Sequence, residues 1–374
     1  MDTKNLLAAL LWVISVGAHA SDLVSVQGLL WDQAVPWWFQ AQPTNQAVQI
    51  EQGGNLPDAL KARARTLVVN RTARAVVFVD ASTIIYKELG APATDQSTFA
   101  GFSMTKTITS MAVGKAVCDG KLSMATKVKD VLTEFAGTGL GEATVRDLLM
   151  MASGATESSS GTGSLMTADE RARWQRGDLN LHDFIMQPRS SSAQRGLFST
   201  YKPGERFSYK STDPDTLGLM IERATQMPYG YWVRDKVFGE MGIAHTALID
   251  QDKEGHAHAS GGIRMKLDDW VRFAIWVKRA WKEQSCFGEY VREASSTQIQ
   301  NPGTPQTRPA GKVFGGYGHL IWTENMFSPR SFWARGLGGQ CIGWSTQSDR
   351  MFLLFATSED WLPEAYALAN DWFN

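Results

Sequence analysis

The sequence predicts an α+β fold in which an antiparallel sheet built from both chain ends is flanked by helices and carries an inserted, mostly helical lobe. Three observations predict it. Short β-branched segments follow the N-terminal region, four strand-like runs lie near the C-terminus, and the stretch between them is patterned as helices. Strands at both ends with helices between them imply that the ends pair into one sheet while the middle forms a second lobe, with a cleft between the two.

Taken in order, Thr66 to Val69, Ala75 to Asp80 and Thr83 to Leu89 are short, rich in β-branched or apolar residues, and separated by turn residues, as in a meander. Thr107 to Cys118, Thr144 to Met151, Asp215 to Thr225 and Trp232 to Phe238 read as helices joined by long polar loops. One of those loops, Glu157 to Gly163, is rich in Ser and Gly and is expected to be a mobile surface segment. Leu267 to Lys282 is again helical. The chain closes with strand-like runs Tyr317 to Thr323, Ser331 to Ala334, Cys341 to Ser345 and Met351 to Thr357, then a last helix from Leu362 to Trp372. Residues 66–374 are expected to form the main domain, with the helical lobe at about 107–255.

The N-terminus has the order of a secretory signal: Lys4, the apolar stretch Leu6 to Val16, then Ala18-His19-Ala20 before Ser21. Residues 1–20 are therefore expected to be removed, and the mature protein to be periplasmic or secreted. The apolar run is shorter than the ~20 residues a spanning helix needs, so no stable membrane insertion is expected. Residues 21–65 form an N-terminal arm rich in tryptophan, densest from Trp31 to Phe39, where the rings are expected in core or subunit contacts. The net charge of -1 gives no reason to expect nucleic acid as a partner. Three cysteines, Cys118, Cys286 and Cys341, lie far apart, and buried free thiols are expected ahead of a single bridge.

Ser103-Met104-Thr105-Lys106 precedes and opens the helical run. A serine at the first turn of a helix sits where free N–H groups and the positive end of the dipole favour a developing anion. A lysine three residues on shares its helix face, so its amine can approach the hydroxyl. An amine that is desolvated or held near other cations gives up its proton more readily and can take that of the serine. Ser199-Thr200-Tyr201-Lys202 repeats the spacing, but Pro203-Gly204 follows at once and rules out a helix that could hold the pair.

Two further clusters fit catalysis. In the segment from Pro203 to Ser211, the Pro-Gly turn is expected to place Tyr209 and Ser211 on one side of a short extended stretch. A tyrosine beside a lysine amine can act as a base or relay a proton. In Gly336-Leu337-Gly338-Gly339-Gln340, between two predicted strands, glycines let the backbone approach a ligand, and an edge-strand N–H can serve as half of an oxyanion hole. His256-Ala257-His258 has strand-like spacing but no convincing third ligand, so no metal is expected; no cofactor fingerprint is visible.

In this order the three clusters resemble the serine β-lactamase and penicillin-binding-protein superfamily, most of all its class C-like branch of esterases, amidases and nylon-oligomer hydrolases. Thr144 to Gly154 and Ala259-Ser260-Gly261-Gly262-Ile263-Arg264 are similar to supporting segments of that family. The resemblance implies a β-lactamase-like fold, Ser103 as acyl-accepting nucleophile, Lys106 as adjoining base and Tyr209 as the tyrosine of the second motif. It implies oxyanion donors from the N–H groups of Ser103 and Gln340, and substrate contacts from Ser211, Gly338 and Gly339. Leu337-Gly338-Gly339 falls where the family has Lys-Thr-Gly or His-Thr-Gly, and Ser211 where it commonly has asparagine. Losing that cation removes a charge-assisted contact worth about 1.5–3 kcal/mol to an anionic substrate. The expected activity is therefore that of a serine hydrolase on small uncharged esters or amides. A DD-peptidase or β-lactamase, and a catalytically silent penicillin-recognising or cell-wall-binding protein, are the alternatives.

Overall fold

The computed structural model describes residues 23–24, 37–70, 72–155, 168–186, 201–302 and 313–374. The signal segment, Trp31, the loops at 157–163 and 187–196, and Ser199 lie outside the described residues. The chain is mixed α+β, with helices packed against two sheets.

In chain order the strands are β1 (Leu23–Val24), β2 (Trp38–Ala41), β3 (Glu51–Gln52), β4 (Ala73–Asp80), β5 (Thr83–Leu89), β6 (Thr98–Ala100) and β7 (Ala247–Asp250). They continue as β8 (Ile263–Lys266), β9 (Ile299–Gln300), β10 (Phe314–Tyr317), β11 (Trp322–Asn325), β12 (Ser331–Gly336), β13 (Gln340–Ser345) and β14 (Arg350–Ala356). The larger sheet has the order β3-β5-β4-β14-β13-β12-β11-β10-β9. Its two ends of chain meet where β14 pairs antiparallel with β4, Phe352 opposite Phe78. Both strands are almost wholly buried, which a run such as Val76-Val77-Phe78-Val79 requires. The smaller sheet, β1-β6-β8-β7-β2, was not foreseen; its strands are four residues or shorter. It matters because β6 leads directly into the turn that carries Ser103.

Six helices pack against the sheets or against one another. They are α1 (Asp58–Val69), α2 (Met104–Cys118), α3 (Thr212–Thr225), α4 (Leu267–Lys282), α5 (Cys286–Ala294) and α6 (Leu362–Phe373). α2 is buried on nearly every face, packed against α3, α5 and β12, so its polar Thr105, Lys106 and Thr109 all lie inside the protein. A helix apolar or buried all round belongs to the core rather than the surface. Fully burying Met104, Ile108 and Met111 stabilises this placement by about 1.5–3 kcal/mol each. No helix among the described residues is long and apolar enough to cross a membrane.

Three expectations are corrected. Thr66 to Val69 is the last turn of α1 rather than a strand: Leu60, Ala64, Leu67 and Val68 make one buried helical stripe that overrides the β-branched ending. Tyr317 to Thr323 is two strands, β10 and β11, because Gly318 to Ile321 turns between them, with Leu320 at φ 56°. Cys118 and Cys286 form a disulfide that ties the end of α2 to the start of α5, leaving Cys341 as the buried free thiol.

Candidate active site

Ser103 stands at the N-cap position of α2, half-buried, behind a tight turn. The turn is closed by Met104 N–H donating to Gly101 O at 2.9 Å and Thr105 N–H donating to Phe102 O at 2.9 Å. It puts Phe102 at φ 45°, a left-handed conformation costly for a bulky side chain and characteristic of functional turns. Gly101 has no room for a side chain, since a Cβ there would stand 2.4 Å from the Trp270 ring of α4.

Lys106, one turn on, is buried and donates from Nζ to Ser103 Oγ at 3.0 Å and to the carbonyl of Ser260 at 2.7 Å. The Tyr209 ring faces the same amine, its centroid 5.1 Å from Nζ, and stacks on Trp322 with centroids 5.3 Å apart. Ser103, Lys106 and Tyr209 are thus brought together from two separate parts of the chain. Tyr209 presents its π face to the amine, an arrangement that attracts a charged ammonium by about 0.5–2 kcal/mol.

Ser211 does not share an extended face with Tyr209. It is the N-cap residue of α3, at φ -94° and ψ -22°, because the helix begins at Thr212. The first turn of α3 carries two buried carboxylates. Asp213 pairs with buried Lys210 at 3.1 Å and accepts from Ser153 Oγ at 2.5 Å; Lys210 also donates to Ser208 O at 2.8 Å. Burial pushes the Asp213 carboxyl up to about 6, against the pull of Lys210. Asp215 accepts from Ser260 N–H at 2.8 Å and from Ser260 Oγ at 3.1 Å. Burial pushes it up to about 6 as well, with His258 and Lys106 pulling the other way. Lys210, Asp213, Asp215 and Trp322 were not singled out from the sequence, and Ser260 only as part of a family-like stretch.

The third cluster is a short turn between β12 and β13, which are interior strands rather than the expected edge because β14 and β11 pair on their outer sides, with Gly338 at φ 77° and Gly339 at φ 96°. Gly338 N–H donates to Glu359 at 3.3 Å, so both glycines serve the turn. The side chain of Gln340 braces it, donating to Leu337 O at 2.9 Å and Ala356 O at 2.8 Å and accepting from Ala356 N–H at 3.1 Å. Gln340 lines a small cleft with Ala100 and Phe102, beside the nucleophile turn. The tightest contact, however, is made by Gly336, whose missing Cβ would stand 2.2 Å from Gly101 O. Arg335, just before it, is buried, lies 3.5 Å from Glu359 and sits over the Phe314 ring.

A cavity of about 540 Å³ lies elsewhere, at the far end of α3 beside Glu222, Met227 and His256. Its polar groups pair with one another, His256 with Glu222 at 2.6 Å and Arg223 with Glu134 at 3.1 Å, and it holds no nucleophile beside a base. Ser103, by contrast, has the Lys106 amine 3.0 Å from its hydroxyl.

Residues 61–371 match the family model described as Beta-lactamase. No curated protein matches the chain. Among solved structures, a Bacillus anthracis protein given the name 6-aminohexanoate-dimer hydrolase is 14% identical with a TM-score of 0.69, covering 91% of this chain and 90% of that one. A penicillin-binding-protein homologue from Caulobacter crescentus is 14% identical with a TM-score of 0.64, covering 86% and 99%. EstCE1, described as a hydrolase with promiscuous acyltransferase activity, is 14% identical with a TM-score of 0.60, covering 84% and 98%. At these identities the likeness is one of fold.

Proposed function

Because the chain belongs to the β-lactamase family, we propose that it is a serine hydrolase acting through an acyl-enzyme on uncharged carboxylic esters or amides. The observation that carries this reading is the 3.0 Å approach of Lys106 Nζ to Ser103 Oγ in a buried setting. In the proposed reaction, neutral Lys106 takes the hydroxyl proton as Ser103 Oγ attacks the acyl carbon. The carbonyl π electrons move onto oxygen, and the oxyanion accepts from Ser103 N–H and from an N–H of the turn ending at Gln340. Collapse expels the alcohol or amine, which receives the proton from the lysine, directly or through the Tyr209 hydroxyl. Water then repeats the cycle on the acyl-serine and frees the acid.

The substrate preference rests on the missing cation. If the third motif ends on Gly339, the residue two positions earlier is Leu337; if it ends on Gly336, that residue is Ala334. Both are apolar. Arg335 has its charge opposed by Glu359. The disulfide supports an oxidising compartment, and together with the N-terminal pattern it favours a periplasmic or secreted protein. Turnover of a p-nitrophenyl short-chain ester, a chromogenic cephalosporin and a fluorescent penicillin tests the reading. Faster hydrolysis of the ester supports it; a higher kcat/KM on the β-lactams would overturn the substrate assignment, and stable labelling without turnover the catalytic one.

A further inference from the structure

Behind Lys106 lies a buried ladder of charge that the proposed reaction does not use. The Ser260 carbonyl that receives the lysine amine belongs to a residue whose N–H and Oγ are both held by Asp215. His258 stands on the other side of that carboxylate, with Nε2 3.6 Å from Asp215 and Nδ1 3.6 Å from Asp250. Asp215 comes from α3, Asp250 from β7 and Lys106 from α2, so three elements converge on one imidazole. The charge of Arg264 on β8 also acts on Asp250. The Gly261-Gly262 step is what lets the chain fold over this group: a Cβ at 262 would stand 2.5 Å from that of Asp250 and 3.0 Å from His258 O.

Burial opposes charge on His258, but Asp215 and Asp250 on its two sides outweigh it and hold the imidazole above its ordinary pKa. Two buried carboxylates with nothing between them would be costly, and the nearer would act on Lys106 across a single residue. A negative charge at that range favours the protonated amine, which cannot serve as a base.

We propose that His258 is a positioning residue for Lys106: its imidazolium balances Asp215, so that the carboxylate can grip the Ser260 peptide without holding a proton on the amine that this peptide orients. The inference rests on the reading of Lys106 as the base. It assigns the second histidine of the 256–258 segment to charge balance rather than to metal binding.

The test is the pH dependence of p-nitrophenyl ester hydrolysis by the full chain. His258→Gln removes the balancing charge, so the rising limb of kcat/KM moves up by about one pH unit, with activity recovering at high pH and KM little changed. Asp215→Asn removes the opposing charge and moves the limb down by about as much. Shifts of the same sign, or a loss of kcat at every pH with the limb unmoved, would overturn the proposal. If a variant fails to fold, nitrogen-15 NMR of histidine-labelled wild type decides. An imidazolium at residue 258 at pH 7 supports the proposal and a neutral ring contradicts it. Wild type that hydrolyses no ester would sink the assigned activity instead, while the NMR result still reads the charge on His258.

Discussion

The backbone of Gly336 presses on the carbonyl of Gly101, leaving no space for even a methyl group between the end of β12 and the turn that carries Ser103. This contact joins the larger sheet to the nucleophile turn, and so fixes where an N–H of the turn after β12 stands relative to Ser103 in the proposed reaction. Gly336→Ala should part the two. The expected result is a loss of about 1–3 kcal/mol in stability from overpacking and a fall of at least about tenfold in ester kcat, since a misplacement near 1 Å can cost a hundredfold. Denaturant unfolding and steady-state kinetics check both; a normal kcat would show that the turn tolerates the displacement.

Lys106→Ala should lower kcat by about a hundredfold or more, the usual contribution of a positioned base. Tyr209→Phe keeps the ring over the amine and against Trp322 and removes only the hydroxyl, so it separates cation–π support from proton relay. A loss of about tenfold or more is expected, and the double variant should be no worse than Lys106→Ala alone, because both groups act on one proton. A full kcat in Tyr209→Phe would limit the tyrosine to holding the amine in place.

The disulfide spans 168 residues of sequence and anchors the helix that Ser103 caps. Breaking it by Cys118→Ala with Cys286→Ala should cost about 2–5 kcal/mol of stability. Chemical denaturation of the variant against wild type reads this directly. An unchanged midpoint would mean that packing of α2 against α5 suffices without the covalent link.

His319 is fully buried, and burial holds its imidazole down at about 4. Unfolded histidine takes a proton near pH 6.5, so between about 6.5 and 4 the unfolded state binds the proton and the folded state does not. Stability is therefore lost on acidification across that window, by about 1.4 kcal/mol per unit, or about 3 kcal/mol in all. Asp213 and Asp215, held up at about 6, act in the opposite sense, since each lowers stability as pH rises from about 4 to 6. The His319→Asn variant isolates the first effect: its stability should fall less than that of wild type between pH 7 and 4.5. Parallel curves would contradict the assignment.

The sheet was legible wherever one strand carried its own pattern. Thr83 to Leu89 and Leu267 to Lys282 appear with the bounds read from sequence, because a half-buried strand and an amphipathic helix each state their period locally. The S-x-x-K pair was legible for the same reason, as one helical turn brings its members together. What escaped depends on distant residues. Cysteine spacing says nothing about a bridge across most of the fold, and nothing in the sequence near His258 announces a carboxylate on α3, 43 positions away, that will share its charge. The third cluster was found but its closest contact was not: the eye falls on the paired glycines at 338 and 339, which make the turn, while Gly336 makes the approach.

The most direct test of the central claim is intact-mass and peptide mapping of the protein quenched in acid during turnover of an activated ester. The account predicts an adduct of one acyl group on Ser103, absent in Ser103→Ala, whose kcat should fall by about a thousandfold or more. Near-normal turnover by Ser103→Ala, or an acyl group mapped to any other residue, would contradict it.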